Sequence, residues 1–327
     1  MEGRGRMKYR DAIALIASDR LAYFQRVVPT IAQNKDVEKL DVFLFLDRSL
    51  RDDADTVAEQ HIRVLKQYLP RATIIQRGEN WGCGKNIIDA RRYLFDRLGY
   101  DKVFIVEDDM LLSKTYFTFC LNLLNWARDY YGNIGAVQGW YKCFLAREEK
   151  ERWLDVVRAT FISNWWGYVI THECWNDIRN YVYEFETDNL NCNYWERDHK
   201  KIVGWFRSKF ISVAKKPNPF LVDTEWEDAK NKVVKSPPTG QDAITSLAMH
   251  AAGYVRLAPV VNRGEYIGEY GIHMRPDWFR RERFNEVVLH DFPGESQHKM
   301  FEVFSDDMTA DMQITPSPIA GLRAVQR

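Results

Sequence analysis

The 327-residue chain has no excess charge of either sign. Its 46 lysines and arginines balance its 46 aspartates and glutamates. No global field therefore draws it to nucleic acid or to an anionic membrane, and any such affinity has to come from a local patch. No apolar run approaches the roughly eighteen residues of a membrane-spanning helix. Residues 1–10 are polar and basic and lack the apolar core of a secretory signal. Cysteines number only five, at 83, 120, 143, 174 and 192, and none stands in CxxC spacing. That excludes a zinc ribbon and a disulfide framework and fits a reducing compartment. There is no internal repeat and no low-complexity tract. These absences describe a soluble protein, and the expected location is cytoplasmic. A piece cut from a membrane-anchored parent would read the same way.

What the chain does have is Lys102-Val103-Phe104-Ile105-Val106 running straight into Glu107-Asp108-Asp109. The apolar run reads as a buried strand, central in a parallel sheet. Three acids then fall at the carboxyl edge of that sheet, where open α/β folds bind their ligands. Adjacent buried carboxylates repel one another and lose hydration. A divalent cation with a phosphate behind it offsets both penalties, and hard oxygens suit Mg²⁺ or Mn²⁺. A solvated acidic loop is the plain alternative.

The surrounding chain alternates. Strands are expected at Ala12–Ala17, Asp41–Leu46 and Ala72–Gln76, with helices at Leu21–Asn34 and Asp52–Leu69. A glycine-punctuated loop at Arg77–Asn86 leads into a helix ending near Leu98, and Leu112–Tyr131 reads as helical. This is the pattern of a doubly wound, mostly parallel sheet with helices on both faces. Further on, Ile134–Gly139 and Ser163–Ile170 read as strands, Thr171–Tyr183 and Gln241–Ala252 as helices, and Tyr254–Leu257 as a strand start. Residues 184–240 resist reading, and the last forty or so look like a polar tail.

Four stretches in order resemble the GT-A nucleotide-sugar glycosyltransferases, and among them the β-1,2-N-acetylglucosaminyltransferase I family, which extends mannose in N-glycans. They are Ile13–Arg20, a strand ending in Asp-Arg; Val103–Phe117, the strand, Glu-Asp-Asp and a segment leading into a helix with Phe117; Phe161–Ile178; and Arg256–His273, a strand, a proline and a glycine loop ending in histidine. Together they span about 270 residues. The resemblance implies a GT-A fold, with a nucleotide-sugar-binding half at 8–140, an acceptor-binding half of the same domain at 141–285, an extra segment at about 184–240, and a tail at 286–327. It implies an inverting, metal-dependent transfer of a hexosyl or N-acetylhexosaminyl group from a UDP-sugar to a hydroxyl acceptor.

On that likeness Asp109 binds Mn²⁺ (or Mg²⁺), Asp108 faces ribose or sugar hydroxyls, and Glu107 faces the sugar. Arg20 and Asp47 hold the nucleotide, with Asp19-Arg20 as a helix cap the alternative. Lys85, Asn86 and Asp89 stand where the family has a uracil-contacting histidine. Asp242 is the candidate general base, with Asp223, Glu225, Glu227 and Asp228 as rivals and a helix-start acid as the plain reading. His273 is a second metal ligand or a phosphate contact. Trp165, Trp166 and Tyr168 are a sugar platform or core. Two departures bear on substrate: Gln241 stands where the family has tryptophan, and the 184–240 segment is longer.

The acceptor is expected to be a glycan. Ten basic residues against six acids in 191–236, among tryptophans, keep an alternative open, a transferase acting on hydroxylated bases of phage DNA. A non-catalytic nucleotide-sugar-binding protein is another. A nucleotidyltransferase is disfavoured, because Ser18–Tyr23 has neither the glycine-rich loop nor the basic run that such enzymes carry after their first strand. The oligomeric state is not encoded in these features.

Overall fold

The computed structural model describes residues 10–160, 165–192, 194–210, 224–227, 233–236, 239–271, 274–292, 294–295 and 301–304. The first strands are β1 (Asp11–Ala17), β2 (Asp41–Leu46), β3 (Thr73–Gln76), β4 (Lys102–Glu107) and β5 (Met110–Leu112). They are followed by β6 (Ile134–Gln138), β7 (Val156–Thr160), β8 (Tyr168–Thr171), β9 (Thr224–Glu227), β10 (Val233–Ser236), β11 (Val255–Pro259), β12 (Gly264–Tyr266) and β13 (Glu302–Phe304). The helices are α1 (Leu21–Ala32), α2 (Ala54–Tyr68), α3 (Gly82–Arg92), α4 (Tyr116–Tyr130), α5 (Arg147–Lys150), α6 (His172–Asn189), α7 (His199–Phe210), α8 (Gln241–Ala251) and α9 (Pro276–Arg281).

Nine strands form one sheet in the order β13-β7-β11-β6-β8-β4-β1-β2-β3. The pairings β3-β2, β2-β1, β1-β4, β6-β11 and β7-β13 are parallel, and β8 runs antiparallel between β4 and β6. The sheet is thus mostly parallel, and it is continuous across the two sequence halves. Strand residues alternate between two cores. Ile13, Leu15, Leu44, Phe104 and Val106 face one side with α1 and α4. Ala12, Ala14, Phe43, Phe45, Val103 and Ile105 face the other with α3, α6 and α8. Burial on both faces is why these strands read as unbroken apolar runs.

The element expectations need four corrections. Leu112 does not open a helix. Met110–Leu112 is a short strand paired with β12, and α4 starts only at Tyr116. The expected 77–86 loop ends early, because Gly82 (φ +73°) turns the chain directly into α3. The expected Ser163–Ile170 strand shrinks to Tyr168–Thr171. Gly167 (φ +59°) breaks extension just before it, and 161–164 lie outside the described residues. Part of the expected tail is folded: β13 adds an edge strand, and the Phe301 ring packs at 5.3 Å from that of Trp126. Glu295 pairs with Arg263 where neither side chain reaches solvent.

The 184–240 segment contains α7, whose Ile202, Phe206 and Phe210 repeat every four residues and join the second core. It also contains the antiparallel hairpin β9-β10. No helix among the described residues is long and apolar enough to cross a membrane.

Candidate functional site

Helices that follow parallel strands start at the edge where those strands end and then run back across the sheet, so their N-termini lie at that edge. The ends of β1, β2 and β4 and the starts of α3 and α8 meet there. The first of these ends delivers Arg20. It stands at the N-cap position of α1 but makes no side-chain cap. Its guanidinium instead bonds Asp108 and reaches Asp109 Oδ2 at 2.6 Å from Nη1.

Asp108 and Asp109 are buried. Desolvation raises the pKa of both carboxyls above the ordinary range, and Arg20 opposes the rise. Glu107 is pushed well up by desolvation, then by Asp109 and Asp242. Burial alone would lower the pKa of Arg20, but Asp109 and Asp108 outweigh it and hold the guanidinium firmly charged. One guanidinium therefore stands against three crowded acids, and the site is short of positive charge.

Asp109 carries the sharpest signal. Its Oδ1 is buried with no hydrogen-bond partner. Its backbone carbonyl accepts from the Ile267 N–H at 2.9 Å, which pins the loop after β12 across it. In that loop a Cβ on Gly268 would sit 2.5 Å from Asp109 Oδ2 and 2.6 Å from the Tyr266 hydroxyl, so only glycine lets the backbone lie there. Gly268→Ala is expected to push Asp109 out of place. The fold should persist at a cost of about 1–3 kcal/mol, while the affinity of the Asp109 carboxylate for a divalent cation falls; circular dichroism and calorimetric titration with Mn²⁺ read the two effects separately.

An orphaned hard oxygen facing a positive-charge deficit fits a divalent cation. Asp109 is the described residue that would hold it. No group of three or more His, Cys, Asp or Glu side chains among the described residues forms a complete cage. The remaining ligands would come from the bound substrate and water, as Mg²⁺-type ions commonly take them. His273 lies outside the described residues, as do the rival bases Asp223 and Asp228. Glu225 and Glu227 sit on β9, in the separate hairpin.

Asp47 ends β2 and is buried. Its Oδ1 accepts from the Trp81 N–H and its Oδ2 from the Gly82 N–H, each at 2.8 Å. It thereby fixes the start of α3; Oδ1 also accepts from the Arg48 N–H at 3.0 Å, so the lone pair left over is on Oδ2. Arg77 bonds Asn86 at 3.0 Å and Asp89 at 2.7 Å, so these last two are bound up inside the fold. Lys85 lies 5.1 Å above the Trp81 ring.

Asp242 stands in the first turn of α8. Burial raises its pKa to about 6 against the pull of Arg91 and Arg256, a backbone N–H of Trp165 and the Gln241 side chain. Glu107 is within electrostatic reach of both Asp109 and Asp242 and so links the two acids. Cys83, in the first turn of α3, turns its sulfur to Glu107 Oε2 at 3.8 Å. Trp165 and Tyr168 are buried core residues, and the Trp165 Nε1–H donates to Ser246 Oγ at 2.8 Å. Trp166 is only partly buried and stacks flat on Tyr266 at 3.9 Å. The structure thus brings Arg20, Asp47, Glu107, Asp108, Asp109 and Asp242 to one sheet edge. Sequence reasoning missed the roles of Cys83, Arg91, Gly268 and Gln241; Gly268 had a signal within the glycine loop, and Gln241 had one as the position where the resembled family has tryptophan.

No protein-family model and no curated protein sequence matches the chain. Solved structures do. The mannosyltransferase PcManGT from Pyrobaculum calidifontis, in complex with GDP-Man and Mn²⁺, aligns at 18% identity and TM-score 0.35 over 51% of this chain and 46% of that one. S. aureus TarS aligns at 10% identity and TM-score 0.41 over 64% and 40%. A cytidylyltransferase from Leptospira borgpetersenii aligns at 12% identity and TM-score 0.34 over 65% and 77%. The chain spans less than half the length of the first two. Likeness at this level decides nothing about chemistry, which rests on the residues themselves.

Proposed function

We propose that the chain is an inverting, metal-dependent glycosyltransferase that moves a sugar from a UDP-sugar to a hydroxyl acceptor, with a glycan the favoured acceptor. The observation that carries this reading is the pairing at one edge of two differently prepared acids. Asp109 has a buried oxygen without a partner, and Asp242 has a carboxyl whose pKa lies near neutrality.

A divalent cation at Asp109, when bound, would neutralise the diphosphate leaving group. Arg20, already against Asp108 and Asp109, supplies a second, fixed positive charge beside it. Glu107 and Asp108 offer acceptors for sugar and ribose hydroxyls. Asp242 takes the proton from the acceptor hydroxyl as its oxygen bonds the anomeric carbon. The bond from that carbon to the diphosphate oxygen breaks on the opposite face, and its electrons leave with the diphosphate. A carboxyl with a pKa near 6 is ionised at neutral pH yet basic enough to accept that proton. The reading is tested by metal-dependent stabilisation of the protein by a nucleotide sugar.

A further inference from the structure

Asp242 does not stand alone at the head of α8. Gln241, buried beside it, donates from Nε2 to Asp242 Oδ1. The other end of the same amide, Oε1, accepts from Arg91 Nη2 at 2.5 Å. Arg91 is fully buried. Its Nη1 donates to Thr245 Oγ1 at 3.0 Å, and its guanidinium lies 5.2 Å from the Trp175 ring centroid. The Thr245 hydroxyl in turn donates to the Gln241 carbonyl at 2.7 Å. Every part of this chain is held from α3, α6 or α8.

The chemistry of the three groups allows one arrangement. Arginine can only donate, and an ionised carboxylate can only accept. An amide between them must turn its oxygen to the arginine and its NH₂ to the acid. The reverse orientation sets carbonyl against carboxylate and NH₂ against guanidinium. A direct, buried contact between Arg91 and Asp242 would hold the carboxyl strongly ionised and make it a poor base. The amide keeps the two charges one residue apart while still fixing the carboxylate.

We propose that Gln241, clamped by Arg91, is the positioning residue that fixes the Asp242 carboxylate and sets how readily it takes a proton. The inference rests on Asp242 being the base, and it gives a reason for glutamine at this position. The other groups facing Asp242 are Cys83 from α3, Glu107 from β4, Tyr168 from β8, Arg256 from β11 and the backbone N–H of Trp165. None of these is changed by substituting Gln241.

The test is the titration of the Asp242 side-chain carbon by NMR, in protein carrying ¹³C at the aspartate carboxyls. The signal is assigned by its loss in Asp242→Asn. Gln241→Glu keeps a partner for Arg91 but turns a carboxylate oxygen to Asp242. Its midpoint should rise by about one pH unit or more. Gln241→Met, matched in length and neutral, removes the donor to Asp242 together with the acceptor for Arg91 and should raise the midpoint by less; it decides the matter if the glutamate variant does not fold. A midpoint unmoved or lowered in the folded variants overturns the relay.

The acid limb of UDP release from UDP-N-acetylglucosamine, with water as acceptor, is followed in parallel and should move with the carbon signal. A carbon signal that moves while the rate profile stays put would keep the relay and remove Asp242 as the base.

Discussion

Asp109→Ala is expected to abolish metal-dependent nucleotide-sugar binding and to lower turnover by about a thousandfold or more, the scale of several kcal/mol of lost charge neutralisation at the leaving group. The variant should nevertheless be at least as stable as the parent. In the ligand-free protein, Asp109 is one of three crowded acids served by one guanidinium, and its charge raises the proton affinity of both Glu107 and Asp108. Removing it relieves that repulsion and leaves the bond between Arg20 and Asp108 intact. Melting curves and calorimetric titrations with Mn²⁺ separate the two effects. A variant that keeps parental activity would remove Asp109 from the chemistry.

Asp242→Asn should behave in the opposite sense on binding: full donor affinity, with transfer reduced by about a hundred- to ten-thousandfold, the usual worth of a positioned base. With Asp242 as the proposed base, the parent's transfer rate should fall about tenfold per pH unit below a midpoint near 6, where Asp242 takes up its proton and can accept no other. The sign of the stability effect comes from the same shift. The folded carboxyl binds its proton more tightly than an unfolded one, so its contribution to stability is present below the unfolded pKa. That contribution is lost as pH rises through about 6. Asparagine cannot ionise, so the variant should melt higher than the parent at pH 8 and show no such gain at pH 4. Transfer that survives in Asp242→Asn would move the base elsewhere, with Glu225 and Glu227 on β9 the next to substitute.

The sheet was legible where burial on both faces wrote long apolar runs. β1, β2 and β4 fall within a residue of their expected ends, and the acids after β4 mark the ligand edge without any structure. The short strands β7, β12 and β13 were not legible. They are three to five residues long, and long-range pairing rather than local pattern stabilises them.

The glycines at 167 and 268 are plain in the sequence, but only three dimensions show what each makes room for. At Gly167 it is the Tyr116 hydroxyl, and at Gly268 it is Asp109 and Tyr266. The candidate acids could be named one by one from motif positions. The group beneath Asp242 could not, because Arg91 lies 150 residues from Gln241 in the chain. Arg91 stands next to Arg92 in an amphipathic helix, and nothing in the sequence tells the fully buried arginine from its partly exposed neighbour.

The most direct test of the glycosyltransferase reading is a thermal-shift screen of UDP-sugars with and without Mn²⁺. A ligand that binds only the folded state stabilises it by about 2.7 kcal/mol at a hundredfold excess over Kd, which is a shift of several degrees at this size. Such a shift is expected for one UDP-sugar, present with Mn²⁺, absent with chelator and absent in Asp109→Ala. No shift with any nucleotide sugar at saturating concentration, with or without metal, would contradict it.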